Sequence, residues 1–129
     1  MGKISPELRE MIEQQQLVFT ATVGKDGVPN VSPKGSIRVW DENNLFFVER
    51  NSRRTRDNLK ENSKIALVVL DKEKMRGFQI KGQVELIDKG PLFEQVDKTE
   101  KSRTPYRGPF NYVIKIAVAE VFPIPTPKA

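Results

Sequence analysis

Residues 51–62, NSRRTRDNLKEN, set Arg53, Arg54, Arg56 and Lys60 against only Asp57 and Glu61. The segment predicts a helix running from Ser52, whose hydroxyl suits an N-cap, to near Asn62. Its first turn then carries three arginines. That is the wrong sign of charge for a helix start, where the macrodipole is already positive, and each exposed misplaced charge costs a few tenths to ~1 kcal/mol. A bound anion would reverse the penalty. Free backbone N–H groups, the hydroxyls of Ser52 and Thr55 and the guanidinium forks together have the chemistry of a phosphate site. The same residues also allow a plainer account, a solvated basic face neutralised by Asp57 and Glu61.

A second polar constellation lies in NVSPKGS, residues 30–36. In extended chain Asn30, Ser32 and Lys34 project to one face. Pro33 and Gly35 leave little side chain on the other, so a flat ring could approach the backbone closely. An edge strand with its polar face in water would look the same. Among the aromatic residues Trp40, Phe46, Phe47, Phe78, Tyr112 and Phe122, most read as core. Tyr106 and Phe110 sit in the turn-rich TPYRGPFN and could line a pocket or a subunit contact.

These segments need elements to position them. SPELREMIEQQQ (5–16) predicts a helix capped by Ser5, with Pro6 at the first helical position and Leu8, Met11 and Ile12 as its apolar stripe. LVFTATVG (17–24) alternates as a half-buried strand, with Leu17, Phe19, Ala21 and Val23 on one side and Thr20 and Thr22 on the other. KDG turns the chain into extended residues 28–40, where the prolines at 29 and 33 suggest an edge. LFFVER (45–50) precedes the arginine helix. KIALVVL (64–70) is continuously apolar and expected to be covered on both faces. RGFQIKGQVELI (76–87) alternates, a helix begins near residue 90, and NYVIKIAVAEVF (111–122) is a last strand. The prolines at 123, 125 and 127 are expected to stop the sheet there. The order is helix, four strands, helix, two strands, helix, strand, with no βαβ rhythm, which favours an antiparallel barrel with helices at its ends.

The chain has 129 residues with 37% hydrophobic and 30% charged side chains, which fits one folded domain over residues 1–129. It contains no Cys and no His. That excludes disulfides, thiolate metal sites, histidine ligands and the Ser-His-Asp triad, so no metal site is expected. Neither a membrane span nor a secretory leader is recognisable, and a cytoplasmic location is the expectation. A net charge of +5 and a pI near 9.6 suit an anionic partner.

The run GVPNVSPKGSIRVWDENNLFFVERNSRRTRDNLKENSKIALVVL, followed by GFQIKGQVELI, resembles the pyridoxamine 5′-phosphate oxidase-like family of flavin-binding split barrels, in particular its small single-domain FMN-binding members. The resemblance covers residues 17–87, and the element order extends it to the final strand. It implies a mainly β fold: a six-stranded antiparallel split β-barrel of Greek-key type with flanking short helices, forming a homodimer with FMN in clefts between subunits. Carried over by position, Ser52, Arg53, Arg54 and Thr55 would hold the FMN phosphate. Val31, Ser32, Pro33 and Lys34 would run along the isoalloxazine and ribityl chain, and Val48, Glu49 and Asn51 would flank the approach to the phosphate. No catalytic side chain is assigned.

The chain departs from the pyridoxamine phosphate oxidases proper. It has no equivalent of their Arg- and Trp-bearing C-terminal segment, and their flavin-contacting glutamine has no sure match, with Gly77 or Gln79 nearby. Oxidation of vitamin B6 is therefore not expected. Lys34 and Arg38 are the cations left on the neighbouring strands, Lys34 engaged with flavin and Arg38 facing solvent. Haem-handling relatives use histidine, which is absent. The leading expectation is an FMN-dependent oxidoreductase taking electrons from a nicotinamide or another small redox partner, since flavin itself supplies the chemistry. Alternatives are a flavin-carrying electron-transfer protein without its own substrate, a deazaflavin protein, and a basic nucleic-acid-binding barrel. The last is disfavoured because no aromatics interleave with Lys and Arg on a strand.

Overall fold

The computed structural model describes residues 2–125. Three helices, α1 (Pro6–Gln15), α2 (Arg53–Glu61) and α3 (Pro91–Lys101), accompany seven strands: β1 (Val18–Val23), β2 (Pro29–Lys34), β3 (Arg38–Asp41), β4 (Asn44–Glu49), β5 (Lys64–Asp71), β6 (Arg76–Ile87) and β7 (Tyr112–Ile124). The count is seven, as the element order predicts, and corrects the six implied by resemblance.

All strands belong to one sheet in the order β2-β1-β5-β6-β7-β4-β3, and every neighbouring pair is antiparallel. The two edge strands, β2 and β3, are joined by only Gly35, Ser36 and Ile37. A connection that short reaches little more than ~14 Å, so the sheet must curl until its edges nearly meet. No ladder closes the seam. Instead the Ser36 hydroxyl accepts a hydrogen bond from the Val48 backbone N–H at 3.2 Å. The result is a mainly β split barrel.

The interior is filled by Val18, Ile37, Leu45, Phe47, Leu67, Val69, Ile80, Ile114 and Ile116. Fully burying one such side chain is worth about 1.5–3 kcal/mol. The Leu8, Met11 and Ile12 stripe of α1 enters the same cluster. Ser5 Oγ accepts the Leu8 N–H at 3.1 Å, and the predicted cap is in place. A second cluster of Val48, Val96, Phe110 and Val113 fastens α3 and the loop after it to β4 and β7. Phe110 lies in that cluster with its ring 4.8 Å from Phe93, whereas Tyr106 is exposed.

Gly82 stands where the β6–β7 register shifts. A Cβ there would lie 2.6 Å from Ile116 Cγ2 and 2.7 Å from the Ala117 carbonyl, so the close approach of the two strands requires glycine.

Three expectations are corrected. In β1 the buried side is Val18, Thr20 and Thr22, while Leu17 and Phe19 are each 44% exposed. The threonines tolerate burial because both hydroxyls are bonded: Thr20 donates to Ser32 O and Thr22 accepts from Asn58 Nδ2, each at 3.2 Å. In β5, Ile65, Leu67 and Val69 point inward, but Leu70 is exposed, so one chain covers one face only. Finally, β7 continues through Pro123, opposite Phe78, to Ile124. Beyond Ala117 its other side has no pairing with β4, so the missing proline N–H leaves no ladder bond unmade there. Pro125 follows the strand, and Pro127 lies outside the described residues. No helix among the described residues is long and apolar enough to cross a membrane.

Candidate functional site

The β4–α2 turn and the β2 edge face each other because α2 packs on β1 and β2, held by the Asn58–Thr22 bond. Two clefts meet there. The first, about 760 Å³, lies between Asn30, Val31 and Ser32 of β2 and residues Asn51 to Thr55. The second, about 420 Å³, follows Ser32, Pro33 and Lys34 across the β2–β3 seam to Val48, Asn51 and Ser52. Val31, Ser32, Pro33, Lys34, Val48, Asn51, Ser52, Arg53, Arg54 and Thr55 thus border one cleft or the other. Glu49 borders neither and is wholly buried behind them.

The start of α2 differs from its expected form. Ser52 occupies the N-cap position, but its side chain makes no capping bond. Its backbone N–H donates instead to Glu49 Oε2 at 3.1 Å, so the turn is fixed from below and the hydroxyl stays uncommitted. The first turn holds no acidic residue. Asp57 neutralises part of the arginine cluster, lying 3.7 Å from Arg53 Nε and 3.4 Å from Arg56 Nε. Glu61 does not take part and accepts the Lys25 N–H at 2.7 Å. Arg54, on the exposed side, has no carboxylate partner among the described residues.

On β2 the alternation predicted for Asn30, Ser32 and Lys34 is present, and Lys34 ends 9% exposed. Its Nζ sits 5.8 Å from the Phe47 ring centroid. Burial pushes the ammonium below its ordinary pKa, while the charge of Glu49 acts in the opposite direction.

The second cleft holds residues that sequence spacing did not connect. Arg50 donates to Glu100 Oε1 at 3.0 Å and to the Gly108 carbonyl at 3.2 Å. Arg103 Nε stands 2.7 Å from Glu100 Oε2, an ion pair in which the N–H is not aligned for a hydrogen bond. Arg38 and Arg107 complete the lining. Arg38 is therefore in the cleft and not in open solvent, as was expected. Its pKa is lowered by burial first and by the like charge of Arg103 only second, with Glu100 opposing. A guanidinium stays charged regardless. Besides Lys34 and Arg38, the cations of the neighbouring strands, Arg50, Arg103 and Arg107 reach the same cleft from outside the strands. Only the packing of α3 could reveal Arg103 and Arg107, because no local pattern ties the loop after α3 to β4. Among the described residues no cluster of acidic side chains is arranged to hold a metal.

With this fold and this paired cleft, the chain belongs to the pyridoxamine 5′-phosphate oxidase family, whose sequence model matches residues 4–124. An uncharacterised protein of Methanocaldococcus jannaschii is 31% identical over 122 residues, covering 93% of this chain and 80% of that protein. The structure of HupZ from Group A Streptococcus is 31% identical with a TM-score of 0.86, covering 94% of each chain. Two more distant structures share the fold. They are an FMN-binding protein of Syntrophomonas wolfei, at 16% identity and TM-score 0.79 over 94% of this chain and 86% of that one, and the heme storage protein HutZ of Vibrio cholerae, at 17% identity and TM-score 0.72 over 93% and 94%.

Proposed function

We propose that the paired cleft binds FMN and that the protein is an FMN-dependent oxidoreductase. The observation that carries this is the α2 terminus. Arg53 and Arg54, an uncommitted serine hydroxyl and first-turn N–H groups without a capping side chain line one cleft with the edge strand β2. A phosphate monoester would be favoured there by charge and by hydrogen bonding together. Ser52, Arg53, Arg54 and Thr55 would hold it, and Val31 to Lys34 would follow the ribityl chain and ring. Flavin supplies hydride or electron transfer when bound; the protein's part is to bind, orient and tune charge. Lys34, Arg38, Arg103 and Arg107 in the adjoining cleft would receive the anionic group of a small substrate or a nicotinamide donor. This removes the ground for discounting a B6 phosphate ester, and stopped-flow mixing of the FMN form with NADH, NADPH and pyridoxine phosphate would rank the three.

The direct test is the spectrum of the purified protein. Flavin absorption bands are expected, with FMN released on denaturation. A colourless protein that gains no such bands on mixing with FMN would refute the assignment. Release of a deazaflavin would keep the site and change the cofactor, whereas retention of haem would favour the chemistry named for HutZ, with an iron ligand other than histidine.

We also propose a homodimer. Leu17, Phe19, Val31 and Leu70 form an exposed apolar area over β1, β2 and β5, and cross-strand neighbours such as Phe19 and Pro33 or Ala21 and Val31 make it continuous. Such a face favours association. A second copy seated on it would lie beside Val31, at the mouth of the first cleft. Phe19→Asp is expected to give monomers by light scattering at concentrations where the parent is a dimer. A parent that is itself monomeric with FMN bound would sink the proposal.

A further inference from the structure

Glu49 is out of place beside an anion site. It ends β4, has no exposed surface, and lies directly under the turn that begins α2. A carboxylate there repels a phosphate, and in a poorly solvated setting the repulsion is stronger than in water. Simple electrostatics would put a neutral residue at this position.

Its bonds explain its presence. Oε2 accepts the Ser52 backbone N–H at 3.1 Å, and Oε1 accepts from Asn111 Nδ2 at 3.2 Å. Asn111 is itself fastened at three points. Its amide also donates to the Arg50 carbonyl at 3.0 Å, and its backbone N–H donates to the Glu49 carbonyl at 2.8 Å. The carboxylate therefore ties the Ser52 end of the turn to the start of β7, a rigid barrel strand. It does for the chain direction what a capping side chain does elsewhere, but from the side away from the cleft. The Ser52 hydroxyl is thereby spared. A neutral side chain could not accept two such bonds as strongly, since charged acceptors make hydrogen bonds about twice as strong as neutral ones.

We infer that Glu49 is a positioning residue for the phosphate subsite and not a ligand of it: it holds the 49–52 turn so that Ser52 and the first turn of α2 present their donors to the cleft. This rests on the FMN assignment above and adds to it an assignment of role that can fail separately.

The test compares FMN with riboflavin, which lacks the phosphate, on the full chain. Parent protein should bind FMN far more tightly than riboflavin. In Glu49→Gln the amide oxygen can still meet Ser52, but its NH2 faces the Asn111 amide donors. FMN affinity should fall about tenfold, as for loss of one charge-assisted bond, while riboflavin affinity stays unchanged. Removal of a nearby negative charge without a positioning role would move FMN affinity the other way. Equal or tighter FMN binding by Glu49→Gln therefore overturns the inference, and so does an equal loss for both flavins. Asn111→Ala keeps the charge and removes one tether. It should lose about threefold for FMN alone, and unchanged FMN affinity in that variant overturns the inference even where Glu49→Gln does not fold. A parent that does not distinguish FMN from riboflavin defeats the phosphate site itself, and the positioning role with it.

Discussion

Arg54→Glu is expected to raise the Kd for FMN by about 100-fold or more and to leave the barrel folded. Arg54 is exposed at the first turn of α2 and borders the larger cleft. Unlike Arg53 and Arg56, which share Asp57, it has no carboxylate partner among the described residues, so no ion pair with Asp57 competes for it. Loss of a hydrogen bond to a charged group is worth about 1.5–3 kcal/mol, and the introduced carboxylate adds repulsion against the phosphate. The same change puts an acidic residue at a helix start, which favours α2 by a few tenths to ~1 kcal/mol. Stability and binding should therefore move in opposite directions. Flavin fluorescence titration measures the first effect and a urea unfolding curve the second. FMN binding at the parent's affinity would remove Arg54, and with it the phosphate assignment.

Lys34→Met is expected to stabilise the apo protein by about 1 kcal/mol, the scale of common stabilising replacements, and to weaken FMN about tenfold. Lys34 is almost fully buried, and among the described residues it has neither a hydrogen bond nor an ion pair. Burial disfavours its charged form, and methionine fills a similar volume without the charge. The pH dependence follows. Burial lowers the Lys34 pKa from 10.5, the larger effect, and attraction to Glu49 only partly offsets it. As pH rises toward 10.5 the folded protein releases this proton before the unfolded chain does. The unfolded state then binds more protons, and stability rises with pH in that window. Below the window both states are protonated and the penalty is fully present. In Lys34→Met this rise should be missing from unfolding curves taken as the pH is raised toward 10.5. A destabilised variant would show that the ammonium is satisfied within the fold, not held in reserve for a ligand.

The strand and helix order and the cap of α1 were legible because each rests on local signals, whereas the meeting of β2 with the start of α2 was implied only by the family resemblance. Alternation, Ser5–Pro6, paired prolines and the arginine cluster are all short-range patterns. The side of β1 that faces inward was not legible, because hydropathy alone points Leu17 and Phe19 to the core. What decides it is that Thr20 and Thr22 find partners on β2 and α2, which is tertiary information. Pro123 was misread for a related reason. Proline ends a strand only where its N–H is needed, and only pairing shows where that is. The roles of Glu49 and Glu100 were hidden most completely. Both are carboxylates in a basic neighbourhood, and both act through residues about fifty or more positions away, Asn111 for one and Arg50 for the other.

The edge strand β2 turns Ser32 and Lys34 toward the barrel and Val31 and Pro33 toward the outer apolar area. Six residues thus belong to two equilibria at once. If a subunit covers one side and a flavin the other, each occupant settles the strand for its counterpart, and the coupling is reciprocal. Holoprotein would then strip its pigment on simple dilution, and added FMN would hold subunits together at concentrations where the bare chains drift apart.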